Sequence, residues 1–189
     1  MEPFEFKSQK AGSGMCAHMS LINSLLLLDI SITVKDAIKY TGVPRWKAAL
    51  SGTDEQRLIK AIKRAGCKPH VKTCHSSKEA KKEIDSFLRQ GMPIIMSVED
   101  EQHWAVLAGK KGKNGYYWID SADKGLVGCW SWESIEEWMC YDDNEYYFIG
   151  IEAKDMSQSF VKKFGLIYPR LKRNQRLSLF KGLFGHKNR

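Results

Sequence analysis

A cysteine stands near the head of "SGMCAHMSLINSLLLLD", residues 13–29, where small residues give way to an apolar run with helical spacing. A thiol at a helix N-terminus faces unpaired backbone N–H groups and the positive end of the helix dipole, which stabilise its thiolate. The same N–H groups can receive an oxyanion. Gly12 and Gly14 let the chain turn sharply before the helix and leave room for a carbonyl group to approach. Cys16 is therefore a candidate nucleophile, weighed against the plainer reading of a buried structural cysteine.

A cysteine nucleophile needs a base, and the base needs a group that orients it. Of the five histidines, His186 lies in a basic tail, and His70 and His75 lie in or beside a short polar strand. His18 is two residues from Cys16, and residues two apart on a helix do not face each other. His103 is the best candidate, because it opens the apolar strand "HWAVLAG" after a charged loop. The polar turn "KKGKNG" joins that strand to "YYWIDSA", residues 116–122. Paired through this turn, Gly109 falls opposite Tyr116 and His103 opposite Ala122. Asp120 is then a diagonal neighbour of His103 on the same face, about 7–8 Å away and within reach of a histidine–carboxylate bond. A shift of one residue would put the two on opposite faces. Gln9 is a candidate second oxyanion donor through its side-chain amide.

One motif points to different chemistry. "CKPHVKTCH" carries Cys67, His70, Cys74 and His75, the residue types of a zinc site. Along a strand, however, His70 and Cys74 share a face about 13 Å apart. No spaced CxxC pair accompanies them. The stretch reads as a strand, and no metal or other cofactor is expected.

The elements that must hold these residues follow from periodicity and capping. Helices are expected over 16–29, over 33–40 with Thr33 as N-cap, and from "SGTDEQ" to Gly66 with Thr53 and Gln56 as a capping box. A further helix is expected over 77–90 and a short one over 131–139. Strands are expected at "KPHVKTC", "PIIMSV" (93–98), 103–109, 116–122 and 145–153. Helices lead and strands follow, which indicates an α+β fold with an antiparallel sheet. The tryptophans gathered around the hairpin are expected mostly in the core, with one or two lining a groove.

The chain of 189 residues suits one domain, here 1–153, followed by a basic tail, 154–189. Lys and Arg exceed Asp and Glu by 8 overall, yet the body up to residue 153 is close to neutral, so the excess sits in the tail. A body without a basic surface argues against a nucleic-acid partner. Leu177, Phe180 and Leu183 or Phe184 recur at helical spacing, so the tail can form an amphipathic helix that packs on its own domain or docks on a protein partner or an anionic surface. No apolar stretch approaches the roughly 18 residues of a membrane span, and the first residues carry no secretory pattern. A cytoplasmic location is expected, with the five cysteines reduced.

Together, Gln9, Cys16 at a helix start, "HWAVL" around His103 and "WIDSA" around Asp120 resemble the papain-like cysteine peptidases. The nearest resemblance is to the peptidase domains that clip double-glycine leader peptides in bacteriocin exporters, and to their stand-alone relatives. It extends over roughly residues 5–152 in the order of elements as well as in the motifs. The resemblance implies a papain-like fold, with the cysteine on a central helix packed against an antiparallel sheet that carries the histidine and aspartate. It implies Cys16 as nucleophile, His103 as general base and acid, Asp120 as orienting group and Gln9 as oxyanion donor. The implied activity is hydrolysis of a peptide or protein amide bond through an acyl-enzyme. The alternatives are an amide acyltransferase using the same residues, or a catalytically inactive interaction module that keeps the fold.

Overall fold

The run "IIMSV" has no polar alternation, and it forms a strand in which every residue is buried. Such a strand needs cover on both faces and neighbours on both edges. The computed structural model, which describes residues 6–98, 103–122, 127–139 and 145–164, provides both. The strands are β1 (Lys68–Cys74), β2 (Ile94–Val98), β3 (His103–Lys111), β4 (Gly115–Ile119), β5 (Val127–Ser131) and β6 (Tyr146–Glu152). They form one sheet in the order β1-β6-β2-β3-β4-β5, and every pairing is antiparallel. The expected α+β architecture is therefore present, with β2 and β3 near the centre.

The helices are α1 (Cys16–Leu26), α2 (Val34–Thr41), α3 (Arg45–Ser51), α4 (Glu55–Arg64), α5 (Ser77–Gln90) and α6 (Trp132–Met139). α1, α2 and α4 pack against one another, and α1 lies on β2 and β3. α5 packs on β1, β2, β3 and β6. The apolar run in α1 is buried almost throughout, as a central helix requires.

Local chemistry sets most element ends. Thr33 and Asp36 form a reciprocal capping box at α2, and Gly42 ends that helix in the left-handed conformation. α1 stops three residues earlier than its apolar run suggests. Asp29 turns back with φ 61°, and the N–H of Ile30 reaches the Leu25 carbonyl. α4 is capped by Asp54, whose carboxylate accepts the Arg57 N–H at 2.9 Å, and not by Thr53. A carboxylate one residue nearer the helix competes better here because it also holds the Arg57 guanidinium at 2.9 Å. β4 ends at Ile119 rather than 122, because the Asp120 carboxylate takes the Ala122 N–H at 2.8 Å and closes a turn. Helix α3 and strand β5 have no counterpart in the sequence reading. Both are short, and α3 is bounded by Pro44 and Gly52.

The chain keeps packing on the body past residue 153. The Phe160 N–H donates to the Leu27 carbonyl at 2.8 Å. Phe164 is fully buried against Phe6 and Tyr117. The rest of the basic tail, including the expected helix around Leu177 and Phe180, lies outside the described residues. Among the described residues no helix is long and apolar enough to cross a membrane.

Gly150 in β6 tests this packing. A Cβ there would stand 2.6 Å from the Phe87 ring on α5. Gly150→Ala is expected to lower stability by about 1–3 kcal/mol through overpacking, read as a lower urea midpoint with an unchanged slope. An unchanged midpoint would contradict this docking of α5.

Candidate active site

α1 is tied to β3 through a buried bond: the Ser20 hydroxyl donates to the Trp104 carbonyl at 2.9 Å. Trp104 adjoins His103, and Ser20 lies one turn beyond Cys16. This single contact therefore brings the head of the helix to the start of the strand. No side chain caps α1, so its first N–H groups remain for another acceptor. Gly14 closes the approach with φ +59° and lies against α3, where a Cβ would fall 1.9 Å from the Ala48 carbonyl oxygen.

The hairpin corrects the sequence reading at one end and meets it at the other. Gly109 pairs with Tyr117, not with Tyr116. A bulge between Leu107 and Gly109 then shifts the ladder, so that Val106 pairs with Ile119. Continued past Ile119, this register sets His103 opposite Ala122 and Asp120 on the His103 face. Without the bulge the two would face opposite sides of the sheet. Its physical reason lies in Gly109, which is pressed against the Val161 carbonyl so closely that a Cβ would stand 2.8 Å away.

His103 Nε2 is 2.8 Å from Asp120 Oδ1. The Cys16 thiol is near enough to act on the ring as its second polar partner. Burial alone would lower the His103 pKa, but the bonds to Asp120 and Cys16 and the negative charge of both raise it from 6.5 to about 10. The imidazolium form is thus favoured across neutral pH. Cys16 and His103 are only 5% and 7% exposed. The sulfur is reached from a cavity of about 790 Å³ walled by Val43, Leu50, Thr53, Trp104 and Tyr147.

Gln9 is held near the same site by its backbone, whose N–H donates to the Ser121 carbonyl at 2.8 Å. Its side chain lines a neighbouring cavity of about 490 Å³ rather than the one reached by Cys16. Its Oε1 is buried without a hydrogen-bond partner among the described residues. His18 turns away from Cys16, toward the Val43 carbonyl at 3.1 Å and the Thr41 hydroxyl at 2.9 Å.

The residues of "CKPHVKTCH" disperse. His70 bonds Glu152 at 2.6 Å, His75 faces Glu145 at 3.6 Å, and no cluster able to hold a metal occurs among the described residues. Burial pushes the Cys67 and Cys74 thiols up, which makes them poor nucleophiles at neutral pH. Of the hairpin tryptophans, Trp104 lines the cavity, while Trp118 stacks on Trp130 and Trp138 meets both edge-on. Sequence reasoning missed Ser20 as the anchor of α1 and α3 as a cavity wall. The Pro44–Gly52 bracket was the available signal for α3.

No protein-family model matches this chain, and no curated protein matches it in sequence. Solved structures do. One is a double glycine motif protease from an AMS/PCAT transporter in complex with the leader peptide. It is 18% identical, with a TM-score of 0.57 over 80% of this chain and 93% of that one. Another is the peptidase domain of Streptococcus ComA, a bifunctional ABC transporter of a quorum-sensing pathway. It is 13% identical, with a TM-score of 0.56 over 79% of this chain and all of that one. The fold is papain-like. In this papain-like fold the helix bearing Cys16 packs on the sheet that bears His103, as the sequence resemblance implied.

Two predictions follow from the geometry. Asp120→Asn removes a carboxylate that raises the His103 pKa. The His103 ring should titrate near 10 in the parent and at lower pH in the variant, read from its NMR C–H resonances. The linkage has the same sign: the pair stabilises the fold fully below pH 6.5, and that contribution is lost as pH rises through about 10. Equal midpoints in parent and variant would remove the pairing. Separately, Gly14→Ala should cost about 1 kcal/mol or more and slow alkylation of Cys16. Gly12→Ala, which has a similar φ of +68° and open space around it, should leave the alkylation rate intact.

Proposed function

We propose that the protein is a cysteine peptidase in which Cys16, His103 and Asp120 act together on a peptide or protein amide bond. The observation that carries the reading is one buried imidazole that lies 2.8 Å from a carboxylate and beside the thiol that lines the cavity. The fold shared with peptidase domains, one of them described with a leader peptide bound, supports a peptide as the occupant of the cleft.

In this mechanism the Cys16 sulfur, its proton carried by His103, attacks the amide carbonyl carbon. The oxyanion is received by the first N–H groups of α1, with the Gln9 side-chain amide as a second donor after rotation toward the sulfur. His103 then protonates the departing amine as the C–N bond breaks, leaving a thioester. Water adds to the thioester, giving a proton to His103. The C–S bond breaks, the acid product leaves, and the proton returns to the Cys16–His103 pair. Asp120 keeps the imidazole oriented and favours its protonated form throughout.

The test is hydrolysis of a panel of synthetic peptides, including one with two glycines before the scissile bond, followed by mass spectrometry. Cys16→Ala should reduce cleavage to background, and His103→Ala should lower it by about 10²–10⁴-fold. Because Cys129 is exposed, iodoacetamide modification must be mapped by peptide; Cys16 should react fastest at neutral pH and should slow in His103→Ala. Cleavage that survives Cys16→Ala, or Cys16 labelling that is undiminished in His103→Ala, would end this reading.

A further inference from the structure

The hydroxyl of Thr53 has no task among the described residues. Thr53 is 5% exposed, and its Oγ1 is buried without a hydrogen-bond partner among the described residues. Helix α4, which that hydroxyl was expected to cap, is capped by Asp54 instead. The backbone of Thr53 is nonetheless fixed, because its carbonyl accepts the Trp104 indole N–H at 3.1 Å. Trp104 adjoins His103, and Thr53, Trp104 and Cys16 line the same cavity of about 790 Å³. A buried hydroxyl left unpaired is costly, and such groups are normally paired. Thr53 itself lines the cavity from which the candidate nucleophile is reached, although its hydroxyl is turned away from that space.

We propose that Thr53 is a substrate-binding residue whose hydroxyl, after rotation about χ1 into the cleft, hydrogen-bonds the main chain of a peptide lying there. This rests on the peptidase reading above and deepens it. An extended peptide presents N–H and C=O groups along its length, and a hydroxyl serves either by rotating its proton. The walls are mixed: Val43, Trp104, Tyr147 and Leu50, the last 80% exposed at the cleft rim, are apolar, while Lys47, Asp54, Glu55 and Arg57 bring both signs of charge. The subsite therefore holds a peptide through its backbone at Thr53, with apolar wall available to a neighbouring side chain. The Trp104–Thr53 bond links the subsite rigidly to the strand that carries His103, so a peptide held by Thr53 is held in register with the reacting atoms.

The experiment compares two probes on the full chain. Iodoacetamide reports the reactivity of the Cys16 sulfur alone. Acetyl-Leu-Gly chloromethyl ketone reports the same sulfur plus recognition of a peptide. Thr53→Val, nearly isosteric, should slow the peptide probe about tenfold, the factor equivalent to about 1.4 kcal/mol, leave the iodoacetamide rate unchanged and not lower the melting temperature, because it removes an unpaired buried hydroxyl. Thr53→Ser should restore the peptide rate. In hydrolysis assays Thr53→Val should raise KM more than it lowers kcat. Equal peptide-probe rates in parent and Thr53→Val, or no rescue by Thr53→Ser, would overturn the role of Thr53 alone. A parent in which Cys16 reacts with neither probe would overturn the peptidase reading and this inference with it.

Discussion

The site depends on one buried contact between a helix and a strand. Ser20 donates to the Trp104 carbonyl, and that bond fixes α1 along the start of β3. With it in place, Cys16 at the helix head meets the imidazole of the neighbouring residue on the strand. A hydroxyl inside an apolar layer is stable only when its partner is exactly where the packing puts it, so this contact specifies alignment as well as adding stability. Trp104 is held a second time by its indole N–H on the Thr53 carbonyl. The strand is thus anchored to the central helix on one side and to the cavity wall on the other.

The electrostatics follow from that placement. An imidazole this buried would ordinarily lose its proton, because desolvation disfavours the charged form. A carboxylate on one nitrogen and a thiol close to the ring reverse the balance and favour imidazolium. Asp120 has a second task, since the same oxygen that holds His103 accepts the Ala122 N–H and ends β4. The turn that stops the strand and the group that orients the histidine are one side chain. The backbone of Gln9 then attaches to Ser121, bringing the segment ahead of α1 to the same corner.

Much of the architecture was legible because local forces set it. The helix over 77–90 and the strand 68–74 appear with the expected bounds, since a Ser cap, a left-handed glycine and a burial pattern confined to neighbouring residues decide them. Thr53 was misread because two adjacent residues could both cap α4, and an ion pair with Arg57 favoured Asp54. α3 was missed because a helix of two turns between proline and glycine has too few residues to show a period. The hairpin was misread at its turn end, where the close approach of Val161 to Gly109 introduces a bulge that no local pattern announces.

The sequence by itself determined the residue types, the order of the elements, the antiparallel α+β class and the choice of Cys16, His103, Asp120 and Gln9 as the groups worth following. Only the tertiary structure decided that His103 bonds Asp120 beside Cys16, that Gln9 is anchored near them and borders a neighbouring cavity, and that Thr53 lines the cleft. The division has a physical reason. Capping and periodicity act over about one helical turn or one strand pleat, so a single chain displays them. Contact between a thiol and an imidazole far apart in sequence depends on a buried hydroxyl, a bulge and a close-packed glycine, whose effects appear only when the layers are in place.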